Sequence, residues 1–317
     1  MKLYSKGLWL VSLAACTLPF AASTPAQDLA QIINKLRPPK PASADASSAK
    51  KSQSAHQKAV TPDATEACTY TFTSGSGATY MNYCVTVNGT LAGFESPSGV
   101  EMLDQDGSYE GYGICDETTG SAYWDYNYND SGNWDTPVKV TSNTTEVKIE
   151  RSTSDGAWLL TQTISKVSGA SPAAKIVMAL KNTSGGSKVV VLVRFAGFLP
   201  DEAASSDNYS ENYDGSEDSA WGYIPNFASY STSSTPYGLM LQNVGAPAPA
   251  STLAISYGYG YNSELGPNPC NPRDVDTGGN AITLGTVING GGAGAYLYLL
   301  ALNKNQTSTA TVRYFSF

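Results

Sequence analysis

The sequence predicts an all-β protein, built as a large antiparallel sandwich of two sheets. From Cys68 onward, short runs of alternating apolar and polar residues are separated by turns rich in Gly, Asn, Asp and Pro. No long stretch shows the spacing of apolar residues that marks a helix. The run 189–195 is apolar on both alternating faces, which is typical of a central strand covered on both sides. A closed barrel is the second interpretation of the same strands.

Residues 1–26 have the composition of an export signal. Lys2 and Lys6 precede an apolar stretch that is too short to span a bilayer. The small residue Ala26 favours ordinary cleavage after it, whereas the short motif Leu-Ala-Ala-Cys that ends at Cys16 offers lipidation of that cysteine as the alternative. Both routes take the protein out of the cytoplasm. It is therefore expected to be secreted, periplasmic or held at the cell surface, with no transmembrane segment in the mature chain.

Residues 27–66 are rich in Ala, Ser, Pro and Lys. Such a composition cannot bury enough apolar surface to fold alone, so it predicts a disordered low-complexity linker. Residues 67–317 then form the β-sandwich domain, which is long enough for one large core. Its strand candidates are 69–73, 79–87, 99–103, 109–115, 121–128, 145–151, 157–166, 173–181, 188–198, 237–243, 252–259, 282–288, 294–302 and 309–316.

The segment 173–199 has the strongest strand character in the chain. Two apolar arms rich in β-branched residues flank the polar, Gly-containing turn 182–186. This pattern predicts a β-hairpin, in which the two arms pair with each other.

Four of the five cysteines follow the export signal: Cys68, Cys84, Cys115 and Cys270. An even number in an exported protein predicts two disulfides. Cys68 and Cys84 lie on neighbouring candidate strands joined by a short turn, so we pair them, which leaves Cys115 with Cys270. The second bridge closes a very long loop and would stabilise the fold by about 4–5 kcal/mol in the chain-entropy description.

The domain is acidic and lacks histidine. Residues 67–317 contain eleven basic and twenty-three acidic residues, which corresponds to a charge of about −12 when all are ionised. Such a surface repels phosphate backbones, so nucleic acid is not an expected partner. The single histidine, His56, lies in the linker. The domain therefore lacks the residue required for Ser-His-Asp or Cys-His catalysis and for His-ligated zinc.

The stretch 121–137 (SAYWDYNYNDSGNWDTP) is the candidate ligand site. Flat aromatic faces can stack on the apolar C–H face of a sugar, while Asp and Asn side chains bind its hydroxyls. A strand with inward-facing aromatic residues, followed by an Asx-rich turn, is the alternative interpretation. The candidate ligand-binding residues are Tyr123, Trp124, Asp125, Tyr126, Asp130, Trp134 and Asp135.

A second candidate site is the acidic segment DQDGSYE. Asp104, Asp106 and Glu110 surround Gly107 in a pattern that resembles part of a calcium-binding loop, so Ca²⁺ is the expected ion. The segment lacks the third Asx residue and the second glycine position of an EF-hand. An acidic turn between two strands is therefore the alternative interpretation.

The segment 201–218 contains seven acidic residues and no periodicity, which predicts a long solvated loop. Just before it, Arg194 lies inside an apolar strand, where a charge requires a partner. The acids that follow closely in the sequence, Asp201, Glu202 and Asp218, are the expected partners.

The succession GTLAGFESPSG, EGYGICD, RSTSDGAWLLTQTIS, AKIVMALKNTSGGSKVVVLVRF, DSAWGY and YGLMLQN resembles a set of exported bacterial β-sandwich proteins of unassigned function, over most of 84–317. The resemblance implies a β-sandwich and supplies no catalytic residues. The unit in which LKNTSG joins two apolar strands is also similar to the large sandwiches of mutarotase-like enzymes. Those enzymes use a catalytic histidine that this domain lacks, so the similarity implies their fold and not their activity.

Together these features favour an exported, non-catalytic β-sandwich that binds glycans or another extracellular surface component. A polysaccharide-active hydrolase or lyase is the first alternative, because carboxylates or tyrosines can act as acid and base without histidine. A structural cell-surface module without a ligand is the second.

Overall fold

A computed structural model describes residues 67–103, 110–127, 129–169, 173–198, 200, 209–213, 219–224, 237–245, 251–258, 269–270, 288–289 and 292–316. These residues contain eighteen strands and one short 3-10 turn, Gly77–Thr79. The strands are β1 Tyr70–Ser74, β2 Met81–Val85, β3 Leu91–Glu95, β4 Glu110–Asp116, β5 Ser121–Tyr126, β6 Asn129–Asp130, β7 Val138–Ser142, β8 Glu146–Ser152, β9 Trp158–Val167, β10 Ala173–Asn182, β11 Lys188–Phe198, β12 Tyr209–Tyr213, β13 Ser219–Ile224, β14 Tyr237–Gly245, β15 Ser251–Gly258, β16 Ile288–Asn289, β17 Gly292–Leu302 and β18 Thr307–Ser316.

The all-β prediction is confirmed, and the strand pairs are antiparallel throughout the described ranges. Two large sheets form the sandwich, and a third, small sheet is an addition that the sequence did not indicate. None of the helical structure in these ranges is long and apolar enough to cross a membrane. The strand orders are β16-β12-β13-β14-β18-β10-β9-β8-β7, β15-β17-β11-β4-β5-β6 and β1-β2-β3.

One apolar core lies between the three sheets. The nine-stranded sheet contributes Trp158 and Ile176, the six-stranded sheet contributes Leu192 and Tyr296, and the small sheet contributes Phe94, all fully buried. Along β8 and β9, buried and partly exposed residues alternate, because successive side chains point to opposite faces of a sheet. The nine-stranded sheet therefore has one face in the core and one face turned outward.

Strand β11 is central, as predicted, and lies between β17 and β4. Its alternate residues enter different clusters, since Leu192 faces the main core while Val191 and Val193 face a second cluster on the other side of the six-stranded sheet. Cys270 packs against this second cluster and is disulfide-bonded to Cys115. Both faces of β11 are thus covered, which explains its continuous apolar sequence.

The predicted hairpin between β10 and β11 is wrong. Strand β10 pairs with β9 and β18, whereas β11 pairs with β17 and β4, so the turn crosses from one large sheet to the other. The Asn182 side chain supports this crossing, because its amide donates to the backbone oxygens of Gly186 (2.8 Å) and Leu302 (2.9 Å). Its oxygen accepts from the backbone N–H of Ser184 (3.0 Å). The two strands also differ in burial, since β10 alternates between buried and partly exposed residues whereas most of β11 is buried. This difference is consistent with their positions in two different sheets.

Several strands differ from the sequence prediction. Strands β3, β6, β7, β12 and β13 were not expected, while 99–103 contributes only isolated bridges at Glu101 and Leu103. Strand β12 lies within the segment predicted to be a loop and pairs with β13. Its sequence, YSENY, is too polar to show an apolar alternation, so neighbouring strands rather than local pattern determine its conformation.

Both predicted disulfides are present. Cys68 and Cys84 have Cα atoms 5.4 Å apart, and Cys115 and Cys270 have Cα atoms 4.8 Å apart across 155 residues of sequence. Two such bridges are typical of a protein that matures in an oxidising compartment.

Several predicted features lie outside the described residues. These are the export signal, the lipidation candidate Cys16, the linker 27–66, two candidate calcium ligands, Asp104 and Asp106, and the three expected partners of Arg194.

Candidate functional site

The structure does not bring the seven candidate ligand residues of 121–137 onto one surface. Tyr123 and Trp124 are neighbours on β5, so their side chains point to opposite faces of the six-stranded sheet. Tyr123 enters the main core and Trp124 packs on the second cluster. Tyr126 is fully buried and Trp134 is only 7% exposed. Because their rings pack against protein atoms, these aromatic residues do not form a common sugar-stacking platform.

Arg151 organises the polar residues of the same stretch. Its guanidinium forms ion pairs with Asp125 and Asp130, the latter at 2.7 Å, and lies 5.7 Å from the centre of the Trp134 ring. Its Nε donates to the backbone oxygen of Asp135 (2.9 Å), whose own side chain is exposed. Burial lowers the pKa of Arg151, but the interactions with Tyr112 and Asp125 raise it by more than burial lowers it. The pKa of Arg151 therefore lies above its usual value. This cluster anchors the aromatic stretch to β8.

Tyr123 is fixed by a carboxylate at the edge of this cluster. Its hydroxyl donates to Asp155 Oδ2 (2.6 Å), and burial together with this bond raises the pKa of Tyr123 to about 12. Burial alone would raise the pKa of Asp155, but hydrogen bonds from Tyr123 and Thr153 lower it below its usual value. Tyr123 is therefore a neutral hydrogen-bond donor at physiological pH and a poor general base.

A second ion pair, between Arg194 and Glu110, lies at the centre of the sandwich. Both side chains are almost completely inaccessible, at 0% and 1% exposure. The expected structural ion pair of Arg194 is thus present, but Glu110, far before it in sequence, is the partner. Glu110 also accepts from the Tyr314 hydroxyl (2.6 Å) and the Leu91 backbone N–H. Burial raises the pKa of Glu110, and the charge of Arg194 and the bond from Tyr314 partly offset this rise.

Glu110 is also the third candidate calcium ligand, and these contacts occupy its carboxylate. Both of its carboxylate oxygens are bound by protein donors inside the core. Within the described residues, no group of three or more His, Cys, Asp or Glu side chains is arranged to hold a metal ion. Because Asp104 and Asp106 lie outside these residues, the calcium site stays a prediction.

The two ion pairs are connected through a buried turn of the small sheet. Residues 86–90 join β2 to β3, and the Asn88 backbone oxygen accepts from Tyr112 Oη (2.9 Å) and Gln162 Nε2 (3.4 Å). Gln162 Oε1 in turn accepts from Arg194 (2.8 Å), while Arg151 donates to Tyr112 Oη (3.2 Å). This continuous polar chain attaches the small sheet to both large sheets. No pattern local to one strand could reveal it, because its members come from five separate segments.

The outward side chains of the central strands β8, β9, β10 and β18 form a flat surface that we call the open face. Its residues are partly or fully exposed, and none of the described strands packs on them as a further layer. Short side chains occupy the middle of β9, β10 and β18, whereas charged ones lie along β8 and towards the ends of β10 and β18. The residues of the open face are Glu146, Lys148, Glu150, Ser152, Leu159, Thr161, Thr163, Ser165, Lys175, Val177, Ala179, Lys181, Thr307, Thr309, Thr311, Arg313 and Phe315.

Hydroxyl-bearing side chains form regular rows in the middle of the open face. The pairing register places Ala179 opposite both Thr161 and Thr309, and it places Val177 opposite both Thr163 and Thr311. Thr309 is exposed, and the other members are partly exposed. Sequence reasoning missed this surface. The alternation of Thr with buried residues in 161–163 and 307–311 was the available signal, but it became a surface only when the register aligned the strands.

No family profile matches this sequence, and no curated protein matches it. Among the solved structures that align with it are a bacterial glucoamylase and an aldose 1-epimerase. A bacterial glucoamylase in complex with acarbose is 11% identical, with a TM-score of 0.47, and the alignment covers 80% of this chain and 33% of that chain. A protein described as an aldose 1-epimerase from Escherichia coli K12 is 9% identical, with a TM-score of 0.38, and the alignment covers 78% of this chain and 99% of that chain. The chain thus spans about a third of the glucoamylase, and its function is inferred below from its own residues.

Proposed function

We propose that this protein is an exported, non-catalytic β-sandwich that binds polysaccharide, and that the open face is its contact surface. The observation that carries the proposal is the pair of threonine rows, which lies partly exposed in the middle of the nine-stranded sheet. The four neighbouring strands of the open face span about 14 Å at the usual strand spacing. This width suits an extended polymer better than a small molecule, which proteins usually enclose in a cleft.

The chemistry of the threonine rows suits a carbohydrate. Each threonine presents a hydroxyl next to a methyl group. The Thr161 hydroxyl donates to Glu150 Oε1 (3.3 Å) and can still accept a hydrogen bond. A sugar ring presents hydroxyls at its edge and C–H groups on its faces, so it can satisfy both kinds of group at once. Val177 and Ala179 add apolar area between the hydroxyls without projecting from the surface. β-branched residues such as Thr and Val are stiff at χ1, so little side-chain entropy is lost on binding.

The placement of the two buried carboxylates that pair with arginines supports binding rather than catalysis. Glu110 and Asp125 are buried and each forms an ion pair with an arginine, so neither faces a site that a polymer could enter. The raised pKa values of Tyr112 and Tyr314, caused first by burial, also disfavour a tyrosinate base. A hydrolase or lyase would require a pair of accessible acid and base groups elsewhere in the chain.

The test is retention of the purified, disulfide-bonded protein on a panel of insoluble and soluble polysaccharides, first with Ca²⁺ and then with a chelator. The double variant Thr161→Glu, Thr309→Glu places two charges in the rows of the open face. Thr119→Glu, in the exposed turn between β4 and β5, is the matched control. We expect the double variant to lose retention while the control retains it, with no products released from any polymer.

Three other outcomes are informative. Failure of the wild-type protein to bind any polymer would overturn the proposed function. Loss of retention in Trp124→Ala but not in the double variant would move the contact surface to β5, since Trp124 is the one partly exposed aromatic residue of the candidate site whose burial is described. Loss of retention with the chelator would show that a metal site, absent among the described residues, takes part in binding.

A further inference from the structure

The basic residues of this acidic domain are unevenly distributed. Arg151 and Arg194 are buried in ion pairs, and Lys188 pairs with Asp116 at 2.9 Å. The open face, in contrast, contains four basic residues, Lys148, Lys175, Lys181 and Arg313, and only two acids, Glu146 and Glu150. A domain with a large negative charge thus carries a locally positive surface. The threonine rows of the proposed contact surface lie within it.

Two of these basic residues lie directly opposite each other. Lys175 on β10 and Arg313 on β18 are cross-strand partners, so their side chains project side by side from the same face. No carboxylate of the described residues lies within ion-pair distance of either one, whereas Lys148 has Glu150 at 3.9 Å. Like charges in this position are destabilising. A bound anion would offset the repulsion between Lys175 and Arg313, so this pair of adjacent positive charges favours an anionic ligand.

Arg313 is also held in a defined orientation. Its Nε donates to Gln242 Oε1 (2.7 Å), and Gln242 is only 4% exposed. Its guanidinium lies 4.7 Å from the centre of the Phe315 ring, which is partly exposed. An arginine fixed on two sides presents its remaining N–H groups as a fork that matches a carboxylate. Phe315 places an apolar ring beside this fork, where a sugar ring can stack.

We propose that Lys175 and Arg313 form an anion-binding subsite for the carboxylate of a uronate-containing polysaccharide. This inference rests on the proposed function, because it assigns the class of polymer that the open face binds. The overall charge of the domain argues against denser polyanions. A polymer with several charges per sugar, or a nucleic acid, would meet repulsion from the acidic surface around the subsite. One carboxylate per sugar, together with neutral hydroxyls, fits both the basic pair and the threonine rows.

The test compares polygalacturonate with its methyl-esterified form, which has the same backbone without the charge. Affinities of the wild-type protein, Lys175→Gln and Arg313→Gln are measured for both polymers at low and moderate salt. We expect the wild-type protein to bind the charged form about tenfold more tightly, the effect of one charge-assisted hydrogen bond. Each variant should lose about that factor on the charged form and nothing on the ester. Lys304→Gln, in the exposed turn between β17 and β18, should behave as wild type.

The thermal midpoint of Lys175→Gln separates a binding role from a structural role. Because removing one of two like charges relieves repulsion, this variant should be at least as stable as wild type while it binds less well. Equal binding of both polymers, unchanged by either variant, would overturn the uronate assignment and leave the proposed function standing. Tighter binding of a sulfated dextran would overturn it in favour of sulfate. Failure to bind either polymer or any neutral polysaccharide would overturn the proposed function as well.

Discussion

Removal of one partner from the Arg194–Glu110 pair should destabilise the protein strongly and asymmetrically. In Glu110→Gln, the arginine stays charged in a site with no access to water, because a guanidinium does not release its proton in proteins. In Arg194→Met, the remaining carboxylate can instead take up a proton, and burial already raises the pKa of Glu110. We therefore expect Glu110→Gln to be the more damaging change at neutral pH.

The magnitude follows from the burial of both groups. Breaking a buried ion pair costs about 3–5 kcal/mol, whereas replacing both members with neutral groups is often close to neutral. For a domain of this size, each kcal/mol lowers the midpoint by about 2–4 °C, so Glu110→Gln should lower it by roughly 6–20 °C. The double variant Arg194→Met, Glu110→Gln should recover most of this loss. Lys148→Gln, which removes an exposed pair, should change stability by less than about 1 kcal/mol.

The assay is denaturant and thermal unfolding with the disulfides intact, at pH 7 and at pH 5. Glu110 has a raised folded pKa, and loss of Arg194 should raise this pKa further, so protonation at lower pH should restore stability to Arg194→Met. That variant should therefore be more destabilised, relative to wild type, at pH 7 than at pH 5. A loss below about 1 kcal/mol in Glu110→Gln, or a double variant no more stable than that single variant, would refute the reasoning.

Three further predictions concern the small sheet, the disulfides and the tyrosines. Gly89→Ala should lower the free energy of unfolding, measured with denaturant, by roughly 1–3 kcal/mol, because Gly89 has φ +88 and an added Cβ would lie 2.5 Å from Gln162 Nε2. Gly77 has φ +56 and no atom within 4 Å of an added Cβ, so Gly77→Ala should lose only the stability that the strained backbone conformation costs. An equal loss of stability in the two variants would contradict the predicted clash at Gly89. Removing Cys115–Cys270, which spans 155 residues, should lower the midpoint more than removing Cys68–Cys84, which spans 16; the reverse order would show that loop length is not decisive. Because burial raises the pKa of Tyr123 from 10.0 to about 12, stability should fall as pH rises through this range, and Tyr123→Phe should weaken that fall in alkaline unfolding titrations.

The fold class, both disulfide pairings and the central position of β11 could be predicted from the sequence. Each depends on a local signal: the alternation of apolar residues, an even cysteine count with two cysteines on adjacent strands, or a run that is apolar on both faces. Such local signals predict the structure correctly where the residues of one segment are enough to show which of its faces is buried. They failed for the connection between β10 and β11, since a polar turn with glycine is equally compatible with a hairpin and with a crossing between sheets.

The contacts of the candidate site residues depended on tertiary structure more than the fold class did. Aromatic and acidic residues in 121–137 have the same composition whether they bind a sugar or pack around Arg151, and only the arrangement of β5 against β8 decides between them. The partner of Arg194 was expected nearby in sequence, but the pairing of β11 with β4 brings Glu110 to it. Strand register likewise creates the open face, because threonines and basic residues from distant strands become neighbours only when hydrogen bonds align them. The sequence by itself thus determined the all-β class, most of the long strands and which of their faces are apolar. Only the tertiary structure decided which of their polar side chains meet.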